Sequence, residues 1–130
     1  MEINISFLGN QKINANFDGL NVIADQPVSN KGEGLFPSPF DYFLASLGLC
    51  AGYFVKAYCD SRDISMEGIK IVQNNLKNDP ENKYKQKFVL NVTLPDTISE
   101  KDKLGILRAI EGCSVKKAIN SLPEFEVKLK

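Results

Sequence analysis

From Tyr42 to Val55 the chain carries no charged residue, and Phe43, Leu44, Leu47, Leu49, Cys50, Phe54 and Val55 leave no wide polar face. The stretch Ser38 to Cys59 therefore reads as one long helix, buried on most of its sides. Its start is well specified. Ser38 suits an N-cap and Pro39 the first helical position, while Asp41 completes a capping box at the positive end of the helix dipole. The uncharged run is shorter than the roughly 20 residues that cross a bilayer, and Gly48 and Gly52 predict close packing against another backbone. A chain of 130 residues has little to spare for wrapping such a helix, so a sheet or a second subunit is expected over it.

The remaining residues narrow the chemistry. Sixteen basic and sixteen acidic residues cancel, and no basic stripe with interleaved aromatics points to nucleic acid or to an anionic membrane surface. The amino terminus MEINISF has neither the basic region nor the apolar run of a secretory signal, so a cytoplasmic location is expected. There the three cysteines are expected as thiols. The chain contains no histidine, which removes Ser-His and Cys-His nucleophile pairs and His-ligated metals, and the cysteines have no CxxC spacing for zinc. No metal or cofactor is called for. If the chain does chemistry, a cysteine without an imidazole partner leads.

Apolar and polar residues alternate through the first 25 positions, with Ile3, Ile5 and Phe7 followed by Ile13, Ala15 and Phe17, and with turns at Gly9-Asn10 and Asp18-Gly19. This predicts a three-stranded antiparallel meander ending near Asp25. Residues 26–37 have loop composition. After the long helix, Ile69 and Ile71 and then Phe88, Leu90, Val92 and Leu94 predict a hairpin with a long polar loop. Ser99 and Asp102 form a second capping box ahead of a helix carrying Leu104, Ile106, Leu107 and Ile110, which Gly112 ends. A short helix over Ser114 to Ser121 is stopped by Pro123, and Phe125, Val127 and Leu129 alternate as a last strand. The order β-β-β-α-β-β-α-α-β is α+β, a single domain over residues 1–130 whose central helix faces a mostly antiparallel sheet.

Two of the cysteines invite a functional reading. Cys50, inside the apolar helix, has the ordinary role of a small core hydrophobe as its alternative. Cys113 opens the short helix, where unpaired amides lower a thiol pKa. Cys59 lies half a turn out of phase with Cys50 and reads as filler. A thiol peroxidase needs a thiolate, a cation or donor to activate it, and a second thiol to trap the sulfenic acid. Arg62 and Arg108 are the two arginines; Arg108 precedes Cys113 on its helix and is the more interesting, with Lys12, Lys56 and Lys116 as other cations.

Pro39-Phe40-Asp41 followed by Leu44-Ala45-Ser46-Leu47-Gly48-Leu49-Cys50, with Cys113-Ser114-Val115-Lys116-Lys117-Ala118-Ile119 later, resembles the OsmC/Ohr family of osmotically inducible and organic hydroperoxide resistance proteins. The proline, any residue, acid pattern is similar to its OsmC-like branch. The resemblance spans nearly the whole chain and implies an intertwined homodimer that reduces organic hydroperoxides and is reset by a dithiol. It matches Cys50 to the peroxidatic cysteine, Cys113 to the resolving one and Asp41 to the motif's acid. The family's well-studied peroxidases hold their thiolate with an amino-terminal arginine, and residues 1–61 here contain none. Nine residues from Cys50, Asp41 falls on the opposite side of a straight helix, which gives it a capping role.

Three functions follow for test. The first is an organic hydroperoxide reductase working through Cys50 and Cys113, with Phe36, Phe40, Phe43 and Phe54 as apolar surroundings for its substrate. The second uses the same thiols on another electrophile or a sulfur species. The third is a binding module for a hydrophobic small molecule in which the cysteines only pack.

Overall fold

The computed structural model describes residues 1–77 and 79–130 and divides into two compact units, residues 1–45 and 46–130. In the first unit β1 (Asn4–Gly9), β2 (Lys12–Phe17) and β3 (Leu20–Ala24) form an antiparallel sheet in sequential order. Both predicted turns are present. Asp18 and Gly19 take φ of 49° and 78°, the paired positive values that a two-residue hairpin loop needs to match strand twist. Ile5 pairs with Ala15 and Phe7 with Ile13, so the alternating apolar residues share one face as expected. All six residues of β1 are exposed.

The loop after β3 is organised around one carboxylate. Asp25 is 1% exposed and accepts amide hydrogens from Gln26 at 2.7 Å, Glu33 at 3.2 Å and Leu35 at 3.1 Å, while its own N–H donates to the Pro37 carbonyl. Gly32 lies so close to the Gln26 carbonyl that a Cβ there would overlap its oxygen at 1.7 Å. Lys12 pairs with Glu33 from across the sheet edge. Burial pushes the Asp25 carboxyl up, but the three amides and Lys12 together outweigh it and hold the group below its ordinary value.

The long helix α1 covers Pro39–Ser61, starting at the predicted cap. Ser38 Oγ accepts the Asp41 amide hydrogen at 3.2 Å, and the Asp41 carboxylate accepts the Ser38 amide hydrogen at 2.9 Å, the reciprocal pair of a capping box. Tyr42 donates its hydroxyl to the Ile23 carbonyl at 2.6 Å, fixing the helix start against β3. At 23 residues α1 is long and apolar enough, by length and composition, to cross a membrane, although its uncharged run alone is not.

In the second unit the core of α1 is a narrow stripe. Leu47, Ala51, Val55 and Cys59 are buried, successive fourth residues that share one helix face. Against Ala51, Val55 and Cys59 pack Ile98, Ile106 and Ile110, with Ile71, Leu90 and Val92 from the hairpin β4 (Lys70–Lys77) and β5 (Gln86–Thr93). Helix α2 (Glu100–Ile110) is capped by Ser99, whose hydroxyl accepts from the Asp102 amide, and α3 (Ser114–Asn120) follows. Gly105 is required where it stands, because a Cβ there would lie 2.0 Å from the Tyr58 hydroxyl oxygen. That hydroxyl donates to Asp102 at 3.0 Å, and the Arg62 guanidinium lies 4.7 Å over the Tyr58 ring.

The architecture is α+β, with two antiparallel sheets and a long helix. Four details differ from the reading above. Within the described chain α1 buries one stripe and leaves Leu49 and Tyr53 exposed, because the hairpin and α2 cover only one side of it. Gly48 would meet the Gln73 side chain, not a backbone, and Gly52 faces open space. On α2 the core positions are Ile106 and Ile110, while Leu104 and Leu107 are exposed. Residues 122–130 form no strand, and Phe125, Val127 and Leu129 are almost fully exposed; their alternation finds no sheet edge within the described chain.

Candidate active site

The second unit brings Cys50 and Cys113 together. Cys50 sits on α1, half-buried, one residue before the core position Ala51, while Cys113 is 3% exposed and is the N-cap residue of α3. Three turn hydrogen bonds, from Glu111 to Arg108, Gly112 to Ala109 and Cys113 to Ile110, end α2 tightly before that cap. The Phe54 ring of α1 and the Ala109 carbonyl would each lie 3.0 Å from a Cβ on Gly112, so the turn that precedes Cys113 packs tightly against α1. Cys113 Sγ then accepts the Lys116 amide hydrogen at 3.4 Å, the ordinary N-cap bond made with sulfur in place of oxygen.

Amides at the start of α3 act on both thiols, but only Cys50 is lowered overall. The Val115 amide hydrogen bond is the largest influence on Cys50; with the Cys113 thiol and the Ser114 amide it overcomes partial burial and lowers the thiol pKa. Cys113 moves the other way. Burial raises it first, and donating to Cys50 raises it further. The expectation that the dipole end would activate Cys113 is thus corrected, because burial and the bond to Cys50 outweigh the Lys116 and Val115 amides that would lower it. Cys59 is buried in the core and raised chiefly by that burial, in keeping with its reading as filler.

Asp41, the third residue singled out, belongs to the first unit. Its carboxylate is engaged by the Ser38 hydroxyl and amide, which hold it below its ordinary value. Phe40 and Phe43 stack on each other there, with centroids 5.6 Å apart. Of the cations considered, Arg108 is exposed, Arg62 joins Tyr58 and Asp102, and Lys56 pairs with Asp60. Lys116 is the one placed beside Cys113, on the wall of a cavity of 510 Å³ that Leu47, Phe88, Leu90, Val92 and Ile119 also line. Sequence reasoning missed the Val115 and Ser114 amides, which carry no side-chain signature. It missed Glu111 as well, which pairs with Lys116 at 2.6 Å.

Comparison with known proteins agrees with this architecture. Residues 32–128 match the model of a family described as OsmC-like protein, a span that contains Asp41, both site cysteines and the cavity. No curated protein matches the chain. Among solved structures, a candidate osmotic stress induced and detoxification response protein from Psychrobacter arcticus 273-4 superposes with a TM-score of 0.66 at 19% identity, over 89% of this chain and 85% of its own. An organic hydroperoxide resistance protein OsmC from Legionella pneumophila superposes with a TM-score of 0.55 at 18% identity, over 91% and 87%. At such identities the likeness is one of fold. With the family model covering most of its length, the chain belongs to the OsmC family.

Proposed function

We propose that this chain is a thiol-dependent peroxidase that reduces organic hydroperoxides. The observation that carries the reading is the placement of Cys50 beside the Cys113 thiol that caps α3, where the Val115 and Ser114 amides favour its thiolate. Lowering the pKa raises the thiolate fraction near neutrality, and the thiolate is the nucleophile. Cys50 thiolate attacks the terminal oxygen of R–O–OH; the O–O bond breaks, the alkoxide takes up a proton and leaves as the alcohol, and Cys50 becomes a sulfenic acid. The Cys113 sulfur then attacks the sulfenic sulfur, a disulfide forms and water leaves. A dithiol, expected from a cytoplasmic pool, returns both cysteines to thiols by two exchange steps. In this scheme Asp41 supports catalysis only by capping α1, and the activating role that the family's well-studied peroxidases give to an arginine falls to backbone amides.

A homodimer is part of the proposal. Support comes from the exposed apolar residues of both units, among them Phe7, Leu49, Phe125 and Leu129, more than a monomer ordinarily leaves in water. The experiment is steady-state reduction of cumene hydroperoxide with a dithiol, comparing the native protein with Cys50→Ser and Cys113→Ser. Loss of turnover in the first and a single oxidation without recycling in the second are expected; unchanged rates in both refute the scheme. The cavity also favours a second reading, a binding module for apolar small molecules. On that reading Cys50→Ala leaves ligand binding intact and Cys50 resists alkylation in the folded protein.

A further inference from the structure

Glu111 and Lys116 are the charged residues among the described ones that line the cavity. They flank Cys113, Glu111 from the residue that closes α2 and Lys116 from the first turn of α3. The hydrogen-bonded turn between them holds the two backbones in place, and the carboxylate meets the ammonium at 2.6 Å. Alone, an ammonium beside Phe88, Leu90, Val92 and Ile119 would make a receptor for an apolar tail ending in an anion. Glu111 changes that outcome.

We propose that Glu111 is a specificity-determining residue that makes the cavity select neutral apolar hydroperoxides over anionic ones. The inference rests on the proposed hydroperoxide reduction, with the cavity, which Cys113 lines, taken as the place where the substrate's apolar part lies. The tethered carboxylate already neutralises the ammonium, so an incoming anion has to compete with it for the same charge. Both side chains keep partial contact with water, 39% for Lys116 and 74% for Glu111, so an anion that did replace Glu111 would gain little from the exchange. A neutral hydroperoxide meets no such competition. It needs only the apolar walls, with the pair left closed beside Cys113.

The test uses the full chain carrying Cys50→Ser, which removes the reactive thiol, and two non-peroxide probes of equal length, decanol and decanoate. Binding is measured by calorimetry and by amide chemical shifts of the cavity residues. Decanol is expected to bind more tightly than decanoate. Adding Glu111→Gln should tighten decanoate by about fivefold, the upper range for a part-exposed charge pair, and leave decanol unchanged; adding Lys116→Met to that variant should abolish the gain. The proposal is overturned if decanoate is indifferent to Glu111→Gln, if both probes shift together, or if neither perturbs the cavity. Since no arm depends on thiol oxidation, a protein that shows this charge preference but consumes no hydroperoxide contradicts the peroxidase reading and supports the charge filter.

Discussion

The Val115 amide at the start of α3 is the leading influence that lowers the Cys50 thiol pKa, so the start of one helix conditions a thiol carried by another. Cys113, which caps α3 with its own sulfur, is the less acidic of the two. The division follows from placement: at the half-buried Cys50 the amides outweigh burial, and at the enclosed Cys113 burial outweighs the amides.

This ordering predicts thiol reactivity against pH. Cys50 should be alkylated by iodoacetamide with a midpoint below that of an ordinary thiol, Cys113 with one above it, and Cys59 scarcely at all while the protein is folded. Peptide mapping after brief alkylation across pH 5–10 reads all three. Equal midpoints for Cys50 and Cys113 contradict the amide account.

Replacing Cys113 acts on structure as well as on chemistry. Serine there retains an N-cap acceptor, whereas Cys113→Ala removes it and should cost about 1 kcal/mol. Denaturant unfolding of the two variants should place Cys113→Ala clearly below Cys113→Ser. The Cys50 midpoint should rise in Cys113→Ala, because its side-chain donor is gone, and less in Cys113→Ser, whose hydroxyl still donates. A Cys50 midpoint that stays put would remove Cys113 from its activation.

Asp25 makes the first unit acid-sensitive. Its carboxyl is held below its ordinary value, so the folded state binds its proton less readily than the unfolded one. Its contribution is present above the ordinary carboxylate range and is lost as pH falls through the lower folded value. Asp25→Ala leaves the Gln26, Glu33 and Leu35 amides without that acceptor. It should lower the melting temperature at pH 7 and flatten the acid limb of stability against pH; an unchanged limb assigns acid sensitivity to other groups.

Two helix glycines should respond with opposite signs. Alanine ordinarily gains about 0.5–1 kcal/mol over glycine inside a helix. Gly105→Ala should instead destabilise by about 1–3 kcal/mol, since its Cβ overlaps the Tyr58 ring and hydroxyl. Gly52 meets nothing within 4 Å in the described chain, so Gly52→Ala should stabilise an isolated subunit. If light scattering gives a dimer and Gly52→Ala weakens it, this open face lies in the interface.

Much of the fold was legible in local chemistry. Ser38 with Asp41 and Ser99 with Asp102 marked helix starts because capping uses residues three apart, and Asp18-Gly19 marked a turn because its φ values suit few other pairs. The order around Asp25 was hidden, since a carboxylate gathering amides ten residues away leaves no periodicity. Phe125, Val127 and Leu129 show the converse. Their alternation says what a strand needs but not whether an edge exists to receive it. At the site, the cysteines were visible as residue types, but the direction of the Ser114 and Val115 amides depends on how α1 and α3 meet.

The most direct measurement is peptide mapping of the reduced protein before and after one equivalent of cumene hydroperoxide, with remaining thiols trapped by alkylation. A Cys50–Cys113 disulfide formed within seconds, with Cys59 unmodified, is the predicted result. Three unmodified thiols would contradict the peroxidase account and favour the reading of a fold that binds apolar molecules without reducing hydroperoxides.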